Sequence, residues 1–387
     1  MRILLLTPRP PWPPIDGGRI AMGRLAEGLA QAGAEVEIMS LNPRKHRVET
    51  ADAPVLMKTI DIDTARIIGP AMRRGIPFIV ARFVSNEFRD ALRSTLLRFK
   101  PDIVQIESPF LLPYVDTIRT DSKARVVLRS LNVEFRIWEG LAQNEQNPLR
   151  RMLLRRLASS LRSYEVRHLV TPDAIVPIST ADAEDFRSLG CTRPMHIVPC
   201  GIRIADVPHV VPDRGSVGFI GSLDFRPNQE AVQWIVDELW PRVTAHAPEA
   251  RLSIAGSSAP TWLRDRAREQ NIEFLGQVED AHAFMQRMSV IIAPLFAGGG
   301  MRIKVLEAMS LARPVVATTL GAGGLDVQHD RDILIANDAP SFAESVTRLL
   351  CDRDEATRLG EAARTTVASL YDSNVLARGL LSFYESL

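Results

Sequence analysis

The stretch from residue 290 to residue 309 reads Val-Ile-Ile-Ala-Pro-Leu-Phe-Ala-Gly-Gly-Gly-Met-Arg-Ile-Lys-Val-Leu-Glu-Ala-Met. It predicts a buried strand at residues 290–293, a glycine loop, and then a helix across residues 302–311. Free backbone amides at a helix start favour anions, and glycine lets a ligand approach the backbone closely. Arg302 and Lys304 add two positive charges to this helix start, so we expect it to bind an anionic group.

Short apolar strands alternate with helical segments on both sides of this stretch. The predicted strands are residues 2–7, 36–40, 103–106, 125–128 and 174–178 in the first half, and 216–220, 252–255, 272–275, 290–293 and 315–317 in the second. Apolar strands spaced by helices imply parallel pairing and sheets covered on both faces. The pattern therefore predicts an α/β protein with two doubly wound units. Two such sheets facing each other would form a cleft beyond the carboxyl ends of their strands, where ligands of open α/β sheets bind.

The length of 387 residues also favours two domains. Residues 201–215 include Pro208 and Pro212 and show little periodicity, which is typical of a linker. We expect a first domain at 1–205, a linker at 206–215, a second domain at 216–370 and a final helix within 371–387.

Composition excludes several classes of protein. Hydrophobic residues make up 46% of the chain and charged residues 24%, as in globular proteins rather than disordered ones. No apolar run approaches the roughly 18 residues of a membrane-spanning helix. The net charge is only +1, which is far from the strong basic surplus of nucleic-acid-binding proteins. Cys191, Cys200 and Cys351 are too few and too irregularly spaced for a disulfide framework or a metal cluster. We expect a cytoplasmic protein without a metal.

The loop after the first strand, residues 7–18, reads Thr-Pro-Arg-Pro-Pro-Trp-Pro-Pro-Ile-Asp-Gly-Gly. It lacks the Gly-x-Gly-x-x-Gly pattern of dinucleotide-binding proteins, which argues against a nicotinamide or flavin enzyme. Two interpretations stay open. Gly17 and Gly18 at a helix start favour close contact with an anionic ligand, but a rigid turn with Asp16 as the helix cap has the same sequence.

Glu307 lies three residues after Lys304, so the two side chains share a helix face. One interpretation is an exposed ion pair of small energetic weight. In the other, Lys304 grips a phosphate while Glu307 accepts hydrogen bonds from sugar hydroxyls, and a nucleotide offers both groups. Lys304 is the only lysine after Lys123, which favours a site that needs a point charge.

Six segments in order make nearly the whole chain similar to one known family. They are Gly-Gly at 17–18, Ile-Val-Pro-Cys-Gly-Ile at 197–202, Phe-Ile-Gly at 219–221, Ile-Ala-Gly at 254–256, Phe-Leu-Gly at 274–276 and Leu-Glu-Ala-Met at 306–309. The chain resembles the GT-B-type, family-four retaining glycosyltransferases, in the subset with Gly-Gly-Gly-x-Arg-x-Lys in place of the first of two glutamates. The resemblance implies two Rossmann-like domains facing across a cleft, and a C-terminal helix that crosses back to the first domain.

The resemblance also implies where a nucleotide-diphosphate sugar, as co-substrate, would bind. Glu307 matches the glutamate that holds the donor ribose, and backbone amides of Gly299 and Gly300 replace the missing first glutamate. Only Arg226 lies near the family's usual lysine, so Arg302 and Lys304 would supply positive charge. The expected donor-binding residues are Gly17, Gly18, Gly221, Arg226, Gly256, Gly276, Gly298, Gly299, Gly300, Met301, Ile303 and Glu307.

On the acceptor side, Leu131 stands where the family usually has a histidine. We therefore expect Asn132 or Glu134 to supply the polar contact to the reacting sugar, although either residue could instead cap or terminate a structural element. Asp16 is also expected near the acceptor. Asn132, Glu134, Arg302 and Lys304 form the predicted catalytic set, without a metal or other cofactor. The implied reaction is sugar transfer to a hydroxyl with retention of configuration, in polysaccharide or glycoconjugate biosynthesis. Loss of the first glutamate and of the histidine leaves open an inactive nucleotide-sugar-binding protein, and the architecture leaves open a nucleotide-sugar epimerase.

Residues 147–168 form a basic amphipathic stretch. Its apolar stripe is Leu149, Leu153, Leu157, Leu161 and Tyr164, beside Arg150, Arg151, Arg155, Arg156, Arg162 and Arg167. The favoured interpretation is an ordinary helix with the stripe in the core. The alternative is a helix that dips into anionic lipid at the inner face of the membrane, in which case a lipid-linked acceptor becomes attractive.

Overall fold

The computed structural model describes residues 1–14, 16–44, 47–48, 53–73, 75–204, 210–270, 272–297 and 301–387. The chain forms two compact units. The first contains Met1–Arg203 and Ser373–Leu387, and the second contains Ile204–Asp372. Residues 206–209 of the predicted linker lie outside the described residues, and residues 210–215 lead directly into the first strand of the second unit.

The first unit is a parallel sheet covered by helices on both faces. Its strands are β1 (Arg2–Thr7), β2 (Glu35–Pro43), β3 (Leu56–Ile62), β4 (Ile103–Ile106), β5 (Arg125–Ser130) and β6 (Ala174–Pro177). Its helices are α1 (Gly17–Gln31), α2 (Thr64–Arg73), α3 (Phe78–Ala81), α4 (Asn86–Phe99), α5 (Val115–Asp121), α6 (Glu134–Asn144), α7 (Pro148–His168), α8 (Thr180–Ser188) and, from the end of the chain, α16 (Ser373–Glu385), with a 3-10 turn at Pro109–Tyr114.

The strand order of this sheet is β3-β2-β1-β4-β5-β6, with every pairing parallel. Alternate residues of β1 enter opposite cores: Leu4 and Leu6 pack on one face of the sheet, and Ile3 and Leu5 on the other. The chain reverses its direction of growth between β1 and β4. This switch point is where open α/β sheets bind ligands, and it places the proline-rich loop and α1 at such a position.

The N-terminal half of α7 does not bury its apolar stripe. Leu161 and Tyr164 are buried, as the sequence favoured, but Leu149 is 71% exposed and Leu153 is 57% exposed. The interpretation that the whole stripe lies in the core is therefore wrong for the first turns of the helix. The reason is that α7, with 21 residues, carries its first turns past the part of the helix that packs in the core.

The second unit repeats the same architecture. Its strands are β7 (Ser216–Ile220), β8 (Arg251–Ala255), β9 (Glu273–Gly276), β10 (Val290–Ala293), β11 (Val315–Ala317) and β12 (Leu334–Ile335). Its helices are α9 (Arg226–Trp234), α10 (Trp240–His246), α11 (Thr261–Glu269), α12 (Ala281–Arg287), α13 (Ile303–Ser310), α14 (Ala339–Cys351) and α15 (Arg353–Leu370), with a π-helical turn at Ile235–Leu239. The strand order, β12-β11-β10-β7-β8-β9, is that of the first sheet read from the other edge. Its switch point lies between β7 and β10.

The C-terminal helix α16 returns to the first unit and packs on α1. Gly28 of α1 lies so close to it that an added Cβ would meet the backbone oxygen of Ser373 at 2.8 Å. Ser373 also donates its backbone N–H to the carbonyl of Ile202 at 2.9 Å. Leu380 and Tyr384 are buried in the same core as β1. A glycine in the middle of α1 is therefore explained by the close approach of a second helix.

A buried network of polar side chains joins α16 to the sheet. The Tyr384 hydroxyl donates to the Gln105 amide oxygen, and the Gln105 amide nitrogen donates to the Glu107 carboxylate. The Arg129 guanidinium lies 2.9 Å from the other Glu107 oxygen, and both side chains of this ion pair are fully buried. Removing one partner of a buried ion pair leaves an uncompensated charge and is strongly destabilising. This network of side chains thus connects the last helix to β4 and β5.

We expect Tyr384→Phe to lower the free energy of unfolding of the first unit by about 1–3 kcal/mol, because the Gln105 oxygen loses a buried hydrogen-bond donor. Glu107→Gln should cost more, about 3–5 kcal/mol, because Arg129 loses its counter-charge. Urea denaturation followed by circular dichroism measures both. Tyr371→Phe is the control, since the Tyr371 hydroxyl accepts from Asp326 within the second unit. An unchanged unfolding midpoint for Tyr384→Phe would contradict this account of the network.

Candidate functional site

The switch point of the second sheet gathers the segment after β10 and the start of α13. Gly298, Gly299 and Gly300 of the predicted glycine loop lie outside the described residues. Met301, Arg302 and Ile303 at the start of α13 are partly buried, and Lys304 is exposed. The structure therefore places the predicted cations at the start of a helix that follows a central strand of the sheet.

Arg302 occupies the N-cap position of α13 and binds backbone carbonyl groups. Its Nε donates to the carbonyl of Leu320 at 3.1 Å, and its Nη2 lies 3.5 Å from the carbonyl of Ala297. Burial lowers the pKa of this guanidinium, which nevertheless stays protonated as arginine does in proteins. Arg302 thus ties the segment after β11 to the segment after β10 while keeping a positive charge at the helix start.

Glu307 is the buried carboxylate of this site, with only 7% of its side chain exposed. The Lys304 Nζ lies 3.0 Å from one carboxylate oxygen, and the His282 Nε2 lies 3.7 Å from the other. The interpretation of Lys304 and Glu307 as an exposed surface pair is therefore wrong for Glu307, although Lys304 itself is half-exposed. A carboxylate in this position is desolvated, which strengthens its interaction with any hydroxyl donor that reaches it.

Sequence reasoning missed His282. It lies in the first turn of α12, and its backbone N–H donates a hydrogen bond of 2.8 Å to the side-chain carboxylate of the helix cap Asp280. No local pattern connects it to Glu307, because the two residues lie 25 positions apart in sequence, on different helices. Its imidazole is 39% exposed, so it borders the site from the side of α12.

Three of the predicted donor-side glycines lie at the carboxyl ends of β7, β8 and β9, and close approach of backbone explains Gly256. An added Cβ on Gly256 would lie 2.2 Å from the Gly221 carbonyl oxygen, whereas one on Gly221 would lie 2.8 Å from the side-chain amide nitrogen of Asn228. Gly276 has a φ of +69°, which favours glycine. The Gly256 N–H donates to the Gly276 carbonyl at 2.7 Å. Gly256 therefore lets neighbouring strand ends approach closely whether or not a ligand is present.

Arg226 begins α9, beyond the end of β7. Its Nε lies 2.7 Å from a carboxylate oxygen of Glu230 one turn later, and 87% of its side chain is exposed. Its charge is therefore partly neutralised and largely solvated.

In the first unit, Asp16 organises the start of α1. One carboxylate oxygen accepts from the Arg19 backbone N–H at 3.1 Å and lies 2.9 Å from the Arg9 guanidinium. An added Cβ on Gly18 would meet that same guanidinium at 2.8 Å. The helix-cap interpretation of Asp16 is thus confirmed as geometry, and Gly18 leaves room for the Arg9 side chain that the proline-rich loop delivers there.

Glu134 lies at the start of α6, where a second carboxylate caps the helix. The Glu165 side chain, buried on α7, accepts from the backbone N–H groups of Glu134 and Phe135 at 3.2 and 2.9 Å. Burial, together with the negative charge of Glu165, raises the pKa of Glu134 to about 8, while Arg9 opposes the rise. Burial also raises the pKa of Glu165 to about 7, against the effect of its two backbone donors. Glu165 was not predicted, because a capping residue 30 positions away leaves no local signal.

Asn132 lies in the turn between β5 and α6 and is partly buried. Its backbone carbonyl accepts from the Ser130 hydroxyl at 2.6 Å. The first unit thus brings Arg9, Asp16 and Glu134 close together beyond the carboxyl ends of β1 and β5, with Asn132 on the adjoining turn.

We expect Glu134 to make the first unit less stable as the pH rises. A carboxyl whose pKa is raised from 4.5 to about 8 by folding binds its proton more tightly in the folded state. Its stabilising contribution is therefore complete below about pH 4.5 and is lost as the pH rises through about 8. Glu134→Gln should flatten this slope and raise the free energy of unfolding at pH 9 by about 1 kcal/mol or more. Denaturant unfolding across this pH range measures it, with the more exposed Glu139→Gln as the control; parallel curves for Glu134→Gln and wild type would contradict the assignment.

Two features of the described residues bear on metals and membranes. They contain no group of three or more His, Cys, Asp or Glu side chains placed to hold a metal ion. None of the helices described has both the length and the apolar character needed to span a bilayer.

Known glycosyltransferases match both halves of the chain. The sequence model described as Glycosyltransferase Family 4 matches residues 15–206, and that described as Glycosyl transferases group 1 matches residues 214–352. An uncharacterized 44.6 kDa protein in the cps region of Klebsiella pneumoniae is 24% identical over 89% of this chain and 90% of its own length. The phosphatidyl-myo-inositol mannosyltransferase of Mycobacterium leprae is 30% identical over 44% of this chain and 46% of its own length.

Solved structures show the same fold. The Anabaena protein Alr3699/HepE in complex with UDP superimposes with a TM-score of 0.69 at 13% identity, over 100% of both chains. A glycosyltransferase from Rickettsia africae superimposes with a TM-score of 0.70 at 13% identity, over 100% of this chain and 98% of its own. The two sequence models identify the chain as a glycosyltransferase, an enzyme of glycoconjugate biosynthesis, and the solved structures with the two parallel six-stranded sheets show that it has the GT-B fold.

Proposed function

We propose that the enzyme transfers a sugar from a nucleotide-diphosphate sugar to an acceptor hydroxyl, with retention of the anomeric configuration. The observation that carries the proposal is the buried Glu307 carboxylate, held 3.0 Å from Lys304 in the first turns of α13. This pair follows three consecutive glycines in the sequence and lies at a switch point of an open parallel sheet, where such folds bind ligands.

The donor fits this arrangement group by group. A buried carboxylate has two acceptor oxygens, which suit the adjacent hydroxyls of a ribose. Lys304 is half-exposed, so its charged head can turn from Glu307 toward a diphosphate while its stem stays on the helix. The positive end of the α13 dipole adds to this attraction. UDP in the Anabaena structure is a ligand of this chemical type.

The reaction is a front-side displacement at the anomeric carbon. The bond from that carbon to the diphosphate oxygen breaks, a bond to the acceptor oxygen forms, and the acceptor proton passes to the departing phosphate oxygen. Negative charge that develops on the diphosphate is stabilised by Lys304, Arg302 and the helix start. These groups supply the positive charge that the leaving group needs, so the proposed reaction proceeds without a metal ion.

The acceptor is proposed to bind at the carboxyl edge of the first sheet. Arg9 and Asp16 present both signs of charge there, and Asn132 adds an amide. With a pKa of about 8, Glu134 carries a proton at neutral pH and can donate a hydrogen bond to an acceptor oxygen. A lipid-linked acceptor is favoured, since one relative is a phosphatidyl-myo-inositol mannosyltransferase. The proposed location is the cytoplasm, peripheral to the inner face of the membrane.

We expect Glu307→Ala and Lys304→Ala to weaken donor binding in different ways. Loss of Glu307 should weaken nucleoside and nucleoside diphosphate binding alike, by about tenfold to a hundredfold, because both ligands carry the ribose. Loss of Lys304 should weaken the diphosphate by a similar factor and leave the free nucleoside nearly unchanged. Titration calorimetry with uridine, guanosine, thymidine and adenosine diphosphates and their nucleosides measures both effects.

Arg268→Ala is the control for these variants, since Arg268 is an exposed residue on α11. If neither Glu307→Ala nor Lys304→Ala changes the dissociation constant, the placement of the donor is wrong.

Turnover separates the remaining alternatives. Donor conversion without an acceptor would indicate an epimerase, and tight binding without turnover would indicate an inactive binding protein. A product of inverted anomeric configuration, seen by nuclear magnetic resonance, would contradict the mechanism.

A further inference from the structure

Lys304 has two partners for one charge in the proposed donor complex. Its Nζ lies 3.0 Å from the Oε2 atom of Glu307, and the proposed function turns it toward a diphosphate. That movement takes a counter-charge away from a carboxylate whose side chain is only 7% exposed. Desolvated carboxylates are costly unless a cation or a hydrogen-bond donor compensates them. A second compensating group at Glu307 would therefore make the movement of Lys304 less costly.

His282 lies at the other oxygen of the same carboxylate. Its Nε2 is 3.7 Å from the Oε1 atom of Glu307, so the imidazole and Lys304 approach different oxygens. A carboxylate accepts hydrogen bonds and cannot donate them, so it favours the form of the imidazole that carries a proton on Nε2. The distance is longer than a hydrogen bond, and the ring, which is 39% exposed, has room to move closer.

The backbone of His282 is anchored independently of Lys304. The Asp280 carboxylate accepts from the backbone N–H groups of His282 and Ala283 at 2.8 and 3.0 Å, which fixes the start of α12. Lys304 belongs to α13, a different helix. The imidazole can therefore stay beside Glu307 when the lysine turns away.

We propose that His282 is a positioning residue of the donor site, which compensates and orients the Glu307 carboxylate when Lys304 exchanges that partner for the donor diphosphate. In the structure, both Lys304 and His282 stabilise the carboxylate. In the donor complex, Lys304 binds the diphosphate, and His282 shares the carboxylate with the ribose hydroxyls. The inference rests on the proposed donor site and adds to it a residue that the glycine-rich motif does not include.

This role makes His282 matter most for ligands that carry the diphosphate. A free nucleoside brings the ribose to Glu307 but gives Lys304 no reason to leave, so the carboxylate keeps its lysine and needs the imidazole less. A residue that touched the ribose directly would instead affect the nucleoside and the nucleoside diphosphate equally. The two ligands therefore distinguish a positioning role from a direct contact.

Titration calorimetry on the full chain, with uridine, guanosine and adenosine diphosphates and their nucleosides, tests the proposal. His282→Ala should weaken diphosphate binding by about tenfold, the lower end of the contribution of a hydrogen bond to a charged group, and nucleoside binding by less than about twofold. His282→Gln should restore diphosphate affinity to within about threefold of wild type, because its amide nitrogen can take the place of Nε2 and donate. His282→Asn has a shorter side chain and should not restore it.

His246→Ala is the matched control, since it removes the same ring from an exposed position on α10 of the same unit. It should bind every ligand as wild type does.

A double-mutant cycle with Lys304→Ala tests the exchange of partners. Without the lysine, no counter-charge leaves Glu307 on binding, so adding His282→Ala should cost less than about twofold in diphosphate affinity instead of about tenfold. Equal losses in the two backgrounds would show that His282 acts without Lys304 and would overturn the proposal.

Two further results would overturn it: wild-type diphosphate binding by His282→Ala while Glu307→Ala is impaired, or an equal loss for nucleoside and diphosphate. An unfolding midpoint of His282→Ala below that of His246→Ala, without rescue by His282→Gln, would assign His282 a purely structural role and would also overturn it. If Glu307→Ala binds every ligand as wild type does, the proposed donor site itself is wrong, and the role of His282 falls with it. The Glu307 variant thus separates failure of this inference from failure of the proposed function.

Discussion

Burial of the Glu307 carboxylate is the interaction on which the donor site depends. A desolvated carboxylate is costly unless a cation or hydrogen-bond donors compensate it. Lys304 and His282 stand at its two oxygens, one from the same helix and one from α12. The strand order fixes this geometry, because the return of the chain to β10 on the far side of β7 places α13 at the middle of the sheet edge. Fold and chemistry are therefore linked through one short helix.

The two units use the carboxyl edges of their own, similarly ordered sheets for different tasks. In the second unit, cations and a carboxylate gather at the start of α13. In the first unit, the loop after β1 is stiffened by prolines and delivers Arg9 to Asp16, while burial, together with the negative charge of Glu165, raises the pKa of Glu134. The buried side-chain network from Tyr384 to Arg129 fixes α16 to the first sheet. The last helix therefore belongs to the unit with which the chain begins.

Local patterns predicted most strands, the helix after the glycine loop and the Asp16 cap, because each depends on neighbours in sequence. The edge strands β3 and β12 were missed: β3 is only partly buried, and β12 has two residues, too few for a periodic pattern. His282, Glu165 and the partners of Arg129 were missed because their contacts form only when distant elements pack. The stripe of α7 shows the same limit. Periodicity identifies its apolar face, but only the packed structure reveals that nothing in the described chain buries Leu149 and Leu153.

Hydrogen–deuterium exchange with and without a nucleoside diphosphate tests the central claim most directly. Backbone amides at the start of α13 are the proposed anion donors, so residues 297–308 should exchange more slowly when the nucleotide is bound. Segments that contain the neighbouring strand ends, near Gly221 and Gly256, should show smaller protection. Protection confined to other parts of the second unit, with unchanged exchange across 297–308, would contradict the proposal that this helix start holds the donor.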